Sequence, residues 1–143
     1  MKMRMILGLA AAALLLTGCC RCRSIQKQTR RPLTGTEWKL VQMMGQKVET
    51  AEGADADSFT LLFSPSGELS GKGACNRLMG SYRTDKSRSL KIGPLASTRM
   101  MCYDEREGEY FRMLEGVTHY DMDGPMLMLL SDGSLFAVFQ AAE

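Results

Sequence analysis

The chain has 143 residues, 45% of them apolar and 24% charged, which bounds it to one ordinary globular domain. The formal charge of +2 hides an asymmetry: residues 19–31 carry five basic side chains and no acid, whereas residues 32–143 carry eleven basic side chains against sixteen acidic ones. A domain that is mildly acidic overall lacks the basic balance of a nucleic-acid binder, so no nucleic-acid partner is expected.

The chain opens with Lys2 and Arg4 ahead of the apolar run Met5–Leu16. That run of about twelve residues falls short of the ~20 that span a bilayer and fits the h-region of an export signal. It ends in Leu16-Thr17-Gly18-Cys19, which resembles the lipobox of bacterial lipoproteins. The resemblance implies cleavage before Cys19 and acylation of its thiol and new amine. Residues 1–18 are then a signal peptide, 19–31 a lipidated basic tether, and 32–143 the folded domain. Acyl chains hold at about 0.8 kcal/mol per buried CH₂ and need no transmembrane helix. The lipoprotein resemblance also implies an address: in enteric-type lipoproteins an Asp after the acylated cysteine marks inner-membrane retention, and Cys20 stands there instead, which implies the outer membrane. Surface-exported lipoproteins of some bacterial groups carry an acidic stretch at this point, whereas the tether here is basic, which by the same analogy implies the periplasm-facing side. Its cations suit anionic headgroups.

Export permits disulfides. With Cys19 acylated, Cys20, Cys22, Cys75 and Cys102 remain. Cys75 and Cys102 lie in the domain and are the natural pair. Cys20 and Cys22 are too close to bridge each other without strain, which leaves them free, acylated or linked between chains.

From Pro32 the pattern is β. Thr36, Trp38 and Leu40 alternate onto one face. Gly45 marks a turn before a short strand in Gln46–Thr50, and Ala51–Asp57 reads as a polar loop. Phe59–Phe63 is apolar enough to be covered on both faces. Ser64-Pro65-Ser66-Gly67 is a turn, and Glu68–Lys72 returns as its hairpin partner. Further strands are expected at Met79–Thr84, Leu90–Gly93 and Ala96–Met101. Asp104 followed by Glu107 resembles a capping box, opening a helix with Tyr103, Tyr110, Phe111 and Leu114 as its apolar stripe and Gly116 as its end. Two Asp-Gly turns, Asp123-Gly124 and Asp132-Gly133, then join three strands. The expected fold is mainly β (α+β): a small antiparallel barrel or curved sheet of about eight strands with one helix.

The segment Gly71–Tyr82, with its Gly-x-Gly-x-Cys-Asn-x-x-x-Gly-x-Tyr spacing, is similar to the core motif of META domains, the HslJ-like family. Gly35–Leu40 resembles that family's opening strand, and Thr98-Arg99-Met100-Met101-Cys102 its Thr-[Arg/Lys]-Met-x-Cys segment. Glu109–Leu114, Tyr120 and Leu127–Leu129 resemble its helix and final hairpin. Together these cover about residues 33–140. The resemblance implies a small β-rich domain, often an anchored lipoprotein, linked to stress or antibiotic tolerance and in other settings to secretion. It brings no catalytic activity and no cofactor. Ala74 stands where the family pattern has glycine, which matters only if that position requires positive φ.

Few residues invite chemistry. Asn76 is expected to bond backbone within its own turn, and Arg99 is a lone cation in an apolar stretch; these two are the candidate ligand contacts. His119 is the single histidine, so no multi-histidine metal site is available. Glu105, Glu107 and Glu109 read as a solvated acidic helix face. Met122, Met126 and Met128 raise the prospect of a soft metal, although methionine also fills β cores. No metal or cofactor is therefore expected. The favoured function is a non-enzymatic, membrane-anchored envelope protein with a possible envelope protein partner. The alternative is a binder of a small hydrophobic compound, lipid or soft metal.

Overall fold

The structure is a computed structural model that describes residues 30–49 and 57–142. The lipobox, Cys20, Cys22, nearly all of the tether and most of the Ala51–Asp57 loop lie outside the described residues.

Strand β1, Glu37–Met43, turns Trp38, Leu40 and Met43 inward. The inward positions change from even to odd because the pairing slips between Leu40 and Gln42, as a β-bulge does. A turn at Met44 and Gly45, both with positive φ, leads to the two-residue β2, Gln46–Lys47. Then come β3 Thr60–Phe63, β4 Glu68–Lys72, β5 Arg77–Thr84, β6 Leu90–Ile92 and β7 Ala96–Ser97. Helix α1 spans Arg106–Glu115, followed by β8 His119–Asp123, β9 Met126–Ser131 and β10 Ser134–Ala141.

All the strand pairs are antiparallel, in the order β6-β5-β4-β3-β1-β10-β9-β8, with β2 on β1 and β7 on β5. The ends of this order nearly meet. Ser89 bridges His119, the Leu90 N–H donates to the Thr118 carbonyl, and the Tyr120 N–H donates to the Arg88 carbonyl. The sheet is thereby curled into a nearly closed barrel, which removes most of the exposed strand edge.

The interior is filled by side chains. Trp38, Leu61, Phe63, Leu127, Leu129 and Phe139 are fully buried, and the Trp38 indole N–H donates to the Leu33 carbonyl at 3.0 Å. Helix α1 packs Tyr110 and Leu114 onto this core. The Tyr110 ring meets Phe59 edge-on at 5.4 Å and its hydroxyl donates to the Thr60 carbonyl at 3.1 Å. Burial pushes that hydroxyl's pKa well above its ordinary value, so it stays a donor.

The architecture agrees with the expected small antiparallel barrel with one helix, and the details differ in instructive ways. Ten strands stand among the described residues where about eight are expected; two of them, β2 and β7, are two-residue pairs at the starts of the expected segments Gln46–Thr50 and Ala96–Met101. Phe59 is not part of β3: its φ is +56°. Leu62 is 38% exposed, so β3 is covered fully on one face only. Asp104 does cap the helix: its Oδ1 accepts from the Arg106 backbone N–H at 3.1 Å, and its carboxylate also meets the Arg106 guanidinium at 2.6 Å. The second half of the capping box does not form, because Glu107 gives its carboxylate to the N–H groups of Cys75 and Asn76. Tyr103 is 90% exposed and is no part of the buried stripe. In the β8–β9 hairpin, Asp123 pairs with Met126, so the turn residues are Gly124 and Pro125 rather than Asp123 and Gly124. Asp132 and Gly133 both have positive φ, as a type I′ turn requires. Ala74 does not have positive φ, so it carries no backbone penalty there.

Candidate functional site

The turn between β4 and β5 is where the chain concentrates its buried polar groups. Asn76 and Glu107 are buried, and Cys75 and Cys102 are half-buried. The disulfide joins Cys75 to Cys102 with a Cα–Cα separation of 5.7 Å, pairing the cysteines as expected. Successive N–H groups of Cys75 and Asn76 both donate to Glu107 Oε2, at 2.7 and 2.8 Å. Such paired N–H groups form an anion-binding nest, and here a carboxylate of the chain itself fills it. Asn76 Nδ2 donates to Glu107 Oε1 at 2.7 Å. Burial alone would raise the Glu107 pKa, but the hydrogen bonds from the Asn76 side chain and the two backbone N–H groups outweigh it and hold it below its ordinary value.

The approach of Glu107 to the turn depends on Gly73. A β-carbon there would lie 2.7 Å from Glu107 Oε2 and 3.0 Å from the Phe111 ring. The constraint is steric, since Gly73 does not have positive φ. Gly71 answers to the same kind of limit, with a β-carbon falling 2.1 Å from the Thr60 carbonyl oxygen.

The other side of Asn76 holds the segment after β7. Its Oδ1 accepts from the Met100 N–H at 2.7 Å and the Thr98 hydroxyl at 2.8 Å, and its Nδ2 donates to the Met100 carbonyl at 3.0 Å. The side-chain amide thus pairs with Met100 as a neighbouring strand would. Asn76 was expected to bond within its own turn; it bridges two segments instead. Thr98 adds two bonds to Arg77, backbone N–H to carbonyl at 3.0 Å and Arg77 N–H to the Thr98 hydroxyl at 3.1 Å. The loop 98–102 is therefore fixed at Thr98, Met100 and Cys102.

What this loop presents is apolar. Met100, Met101 and Tyr103 are 60%, 79% and 90% exposed, and Met79 on β5 is 61% exposed. The Tyr103 hydroxyl lies 3.0 Å from the Met101 sulfur. Arg99, the second candidate ligand contact, is exposed beside them. Asn76 and Arg99 thus belong to one constellation, Asn76 buried as its clasp and Arg99 on its surface.

The remaining candidates lie apart from this constellation. Cys75, Cys102 and Glu107 bring their ligand-type atoms within 4.8 Å of one another, but sulfurs joined in a disulfide are not thiolates and do not ligate as such. Met122 packs against the core, while Met126 and Met128 alternate with the buried Leu127 and Leu129 of β9. The three sulfurs therefore do not share a face. His119 is exposed, its Nδ1 3.0 Å from the Thr118 hydroxyl. It borders an open groove of about 450 Å³ that includes Arg88 and Asp121, which form an ion pair.

Glu107 is the residue that sequence reasoning misplaced. The expected solvated face holds for Glu105 and Glu109, which are exposed, while Glu107 is buried. Its signal was positional: Glu107, Tyr110, Phe111 and Leu114 sit at the i, i+3, i+4, i+7 spacing of one buried stripe.

No curated protein matches this chain. Several solved structures do. A DUF4847 family protein from Bacteroides vulgatus aligns with a TM-score of 0.57 at 15% identity, over 78% of this chain and 94% of that one. A protein from Burkholderia xenovorans, solved by NMR, aligns with a TM-score of 0.55 at 30% identity, over 77% of this chain and 83% of that one. A third, also solved by NMR, aligns with a TM-score of 0.56 at 22% identity, over 73% and 87%. The family model of the META domain matches residues 31–143, the same span that forms one compact unit. On that match, the chain belongs to the META domain family.

Proposed function

We propose that this chain is an envelope lipoprotein, acylated on Cys19, whose META domain works by contact rather than catalysis. Its setting is cell-envelope homeostasis or tolerance of stress and antibiotics, at the periplasm-facing side of the outer membrane. The observation that carries the reading is how Asn76 and Glu107 are used. A general acid or base needs a proton or lone pair within reach of a substrate. Both oxygens of Glu107 already accept hydrogen bonds, and the amide of Asn76 is committed on both its ends. These buried groups fix a loop whose apolar side chains stand in solvent, and an exposed apolar cluster on a fixed backbone favours a contact surface.

The anchor half of the proposal rests on Leu16-Thr17-Gly18-Cys19. The alternative, a small hydrophobic ligand or lipid held inside the barrel, is disfavoured by an interior occupied by Trp38, Phe63, Tyr110 and Phe139. The soft-metal alternative is disfavoured by the division of Met122 from Met126 and Met128 between two faces.

Two measurements test the proposal. Mass spectrometry of the N-terminal peptide from the native envelope should show an acylated Cys19, and Cys19→Ala should remove the chain from the outer-membrane fraction. An unmodified native N-terminus would end the anchor reading. Crosslinking in cells should capture partners through the 98–103 loop; no crosslink at that loop to protein or lipid would end the contact reading.

A further inference from the structure

We infer that the outer face of β5, β6 and β7, with the loop that follows, binds the surface of an anionic lipid bilayer. The inference rests on the contact reading above and names its partner.

Charge is segregated within the domain. Residues 68–103, counted from the first residue of β4, carry seven basic side chains and two acids, Asp85 and Glu68, although the domain as a whole is acidic; Glu68 lies opposite Ser81 and accepts from the Ser66 hydroxyl. The topology keeps this segment together: β4, β5 and β6 are neighbours in the sheet and β7 pairs with β5. A mild net charge therefore conceals a basic face.

The face is also apolar and open. Arg77, Met79, Ser81 and Arg83 alternate outward along β5 and are all exposed. Lys91 pairs across from Arg83 and is exposed too. None of Arg77, Arg83, Lys91 and Arg99 appears in an ion pair among the described residues. Past β7, Met100, Met101 and Tyr103 complete the apolar part. Asp104, the next acid along the chain, is held by Arg106.

A bilayer matches this combination. Cations without fixed partners suit a diffuse negative surface, where each contributes about fivefold in partitioning, decaying within a Debye length. Flexible thioethers and an amphipathic tyrosine suit the region between headgroup and acyl chain. The Asn76 clasp and the disulfide hold the loop in place before binding, which reduces the ordering that binding must supply. Eleven residues separate Cys19 from Arg31. At full extension they reach at most about 40 Å, so an anchored domain stays within range of the bilayer and meets it at high effective concentration.

The test is oxidation footprinting of the full chain, as purified from the envelope, reconstituted with vesicles. Chloramine-T converts exposed methionines to sulfoxides, and peptide mass spectrometry gives each rate. Met44 is 50% exposed on the β1–β2 turn, three strands from β5, and serves as the internal reference. With phosphatidylcholine vesicles containing phosphatidylglycerol, Met79, Met100 and Met101 should oxidise at least fivefold more slowly than with phosphatidylcholine alone. Met44 should be unchanged, and half-molar salt should abolish the protection. Replacing Arg77, Arg83, Lys91 and Arg99 together by serine should abolish it as well.

Equal rates on both vesicles would overturn the inference. So would protection in whole cells that is absent on pure anionic vesicles, which would identify an acidic protein partner instead. The same digest reports the N-terminal peptide. An unacylated chain with protected methionines would end the anchor reading and keep this one; an acylated chain with unprotected methionines would do the reverse.

Discussion

Glu107 on the helix and Asn76 in the turn just before β5 meet through two hydrogen bonds, backbone N–H to Oε2 at 2.8 Å and Nδ2 to Oε1 at 2.7 Å. A third, from the Cys75 N–H at 2.7 Å, ties the same carboxylate to the disulfide. The helix is thus joined to the barrel by a buried anion with its donors supplied, the condition under which burying a charge is tolerated. Replacing Glu107 by Gln keeps the shape but aims an amide NH₂ where the donors converge. The variant should lose about 2–3 kcal/mol of stability, since a buried donor left unsatisfied costs about 1–3 kcal/mol. Urea unfolding at neutral pH measures this; a change below about 0.5 kcal/mol would contradict the structural role.

The same pair fixes a pH dependence. The Glu107 carboxyl is held below its ordinary value of 4.5 in the folded chain. A depressed folded pKa contributes stability that is present above the unfolded value and lost as pH falls through the folded one. The wild type should therefore lose stability relative to Glu107→Gln as pH drops below about 4.5, and the gap between them should narrow. Parallel unfolding curves of the two proteins at neutral pH and near pH 3 give the comparison. A gap that stays constant would show that Glu107 does not titrate with a depressed pKa.

Asn76→Asp tests the clasp from its other side. The substitution sets a second carboxylate within hydrogen-bond distance of Glu107 and removes the donor to the Met100 carbonyl. Two close buried carboxylates cannot both ionise cheaply, so one pKa rises and the site takes up a proton. At neutral pH the variant should be destabilised by about 3 kcal/mol or more. In contrast to the wild type, it should gain stability as pH falls from 7 towards 4. Thermal melts across that range show the sign directly, and a variant with the wild-type pH profile would refute the contact.

Much of the barrel was legible because its signals are local. Trp38 and Leu40 alternate within one strand, and Asp132-Gly133 supplies the two positive-φ positions of a hairpin turn within two residues. The Gly-x-Gly-x-Cys-Asn spacing identified the junction. What was not legible is long-range. Glu107 reads as one acid among three until its partners, 31 and 32 residues upstream, fold against it. Ala96–Met101 reads as a strand, yet the ladder stops at Ser97 because Met100 gives both its backbone groups to the Asn76 side chain. A side chain that imitates a strand neighbour leaves no periodic trace. The basic face was hidden for a related reason, since net charge reports a sum and not its distribution.

Gly73 and Ala74 separate two requirements that a glycine-rich turn can impose. Gly73→Ala drives a β-carbon to 2.7 Å from Glu107 Oε2 and 2.9 Å from its Cγ, so the carboxylate must withdraw from its donors. The expected loss is about 1–3 kcal/mol, the range for overpacking. Ala74→Gly restores the residue of the family pattern at a position without positive φ. It should cost under about 1 kcal/mol, through chain entropy alone.

The disulfide closes a loop between residues 27 apart in sequence. On the chain-entropy model, a loop of that size contributes about 3–4 kcal/mol, a large share of the total stability of a small domain. Reduction, or the double substitution Cys75→Ser with Cys102→Ser, should lower the Tm by roughly 15 °C for a domain of this length. The loss should not fall evenly. Cys102 is one of three points that fix the 98–102 loop, the others being Thr98 and Met100. Amide hydrogen exchange should therefore speed up first at residues 99–103, while β1, β9 and β10 keep their protection. Native protein with two free thiols at these positions would remove the staple. Uniform deprotection across the barrel would show that the bond supports the whole core rather than the exposed loop.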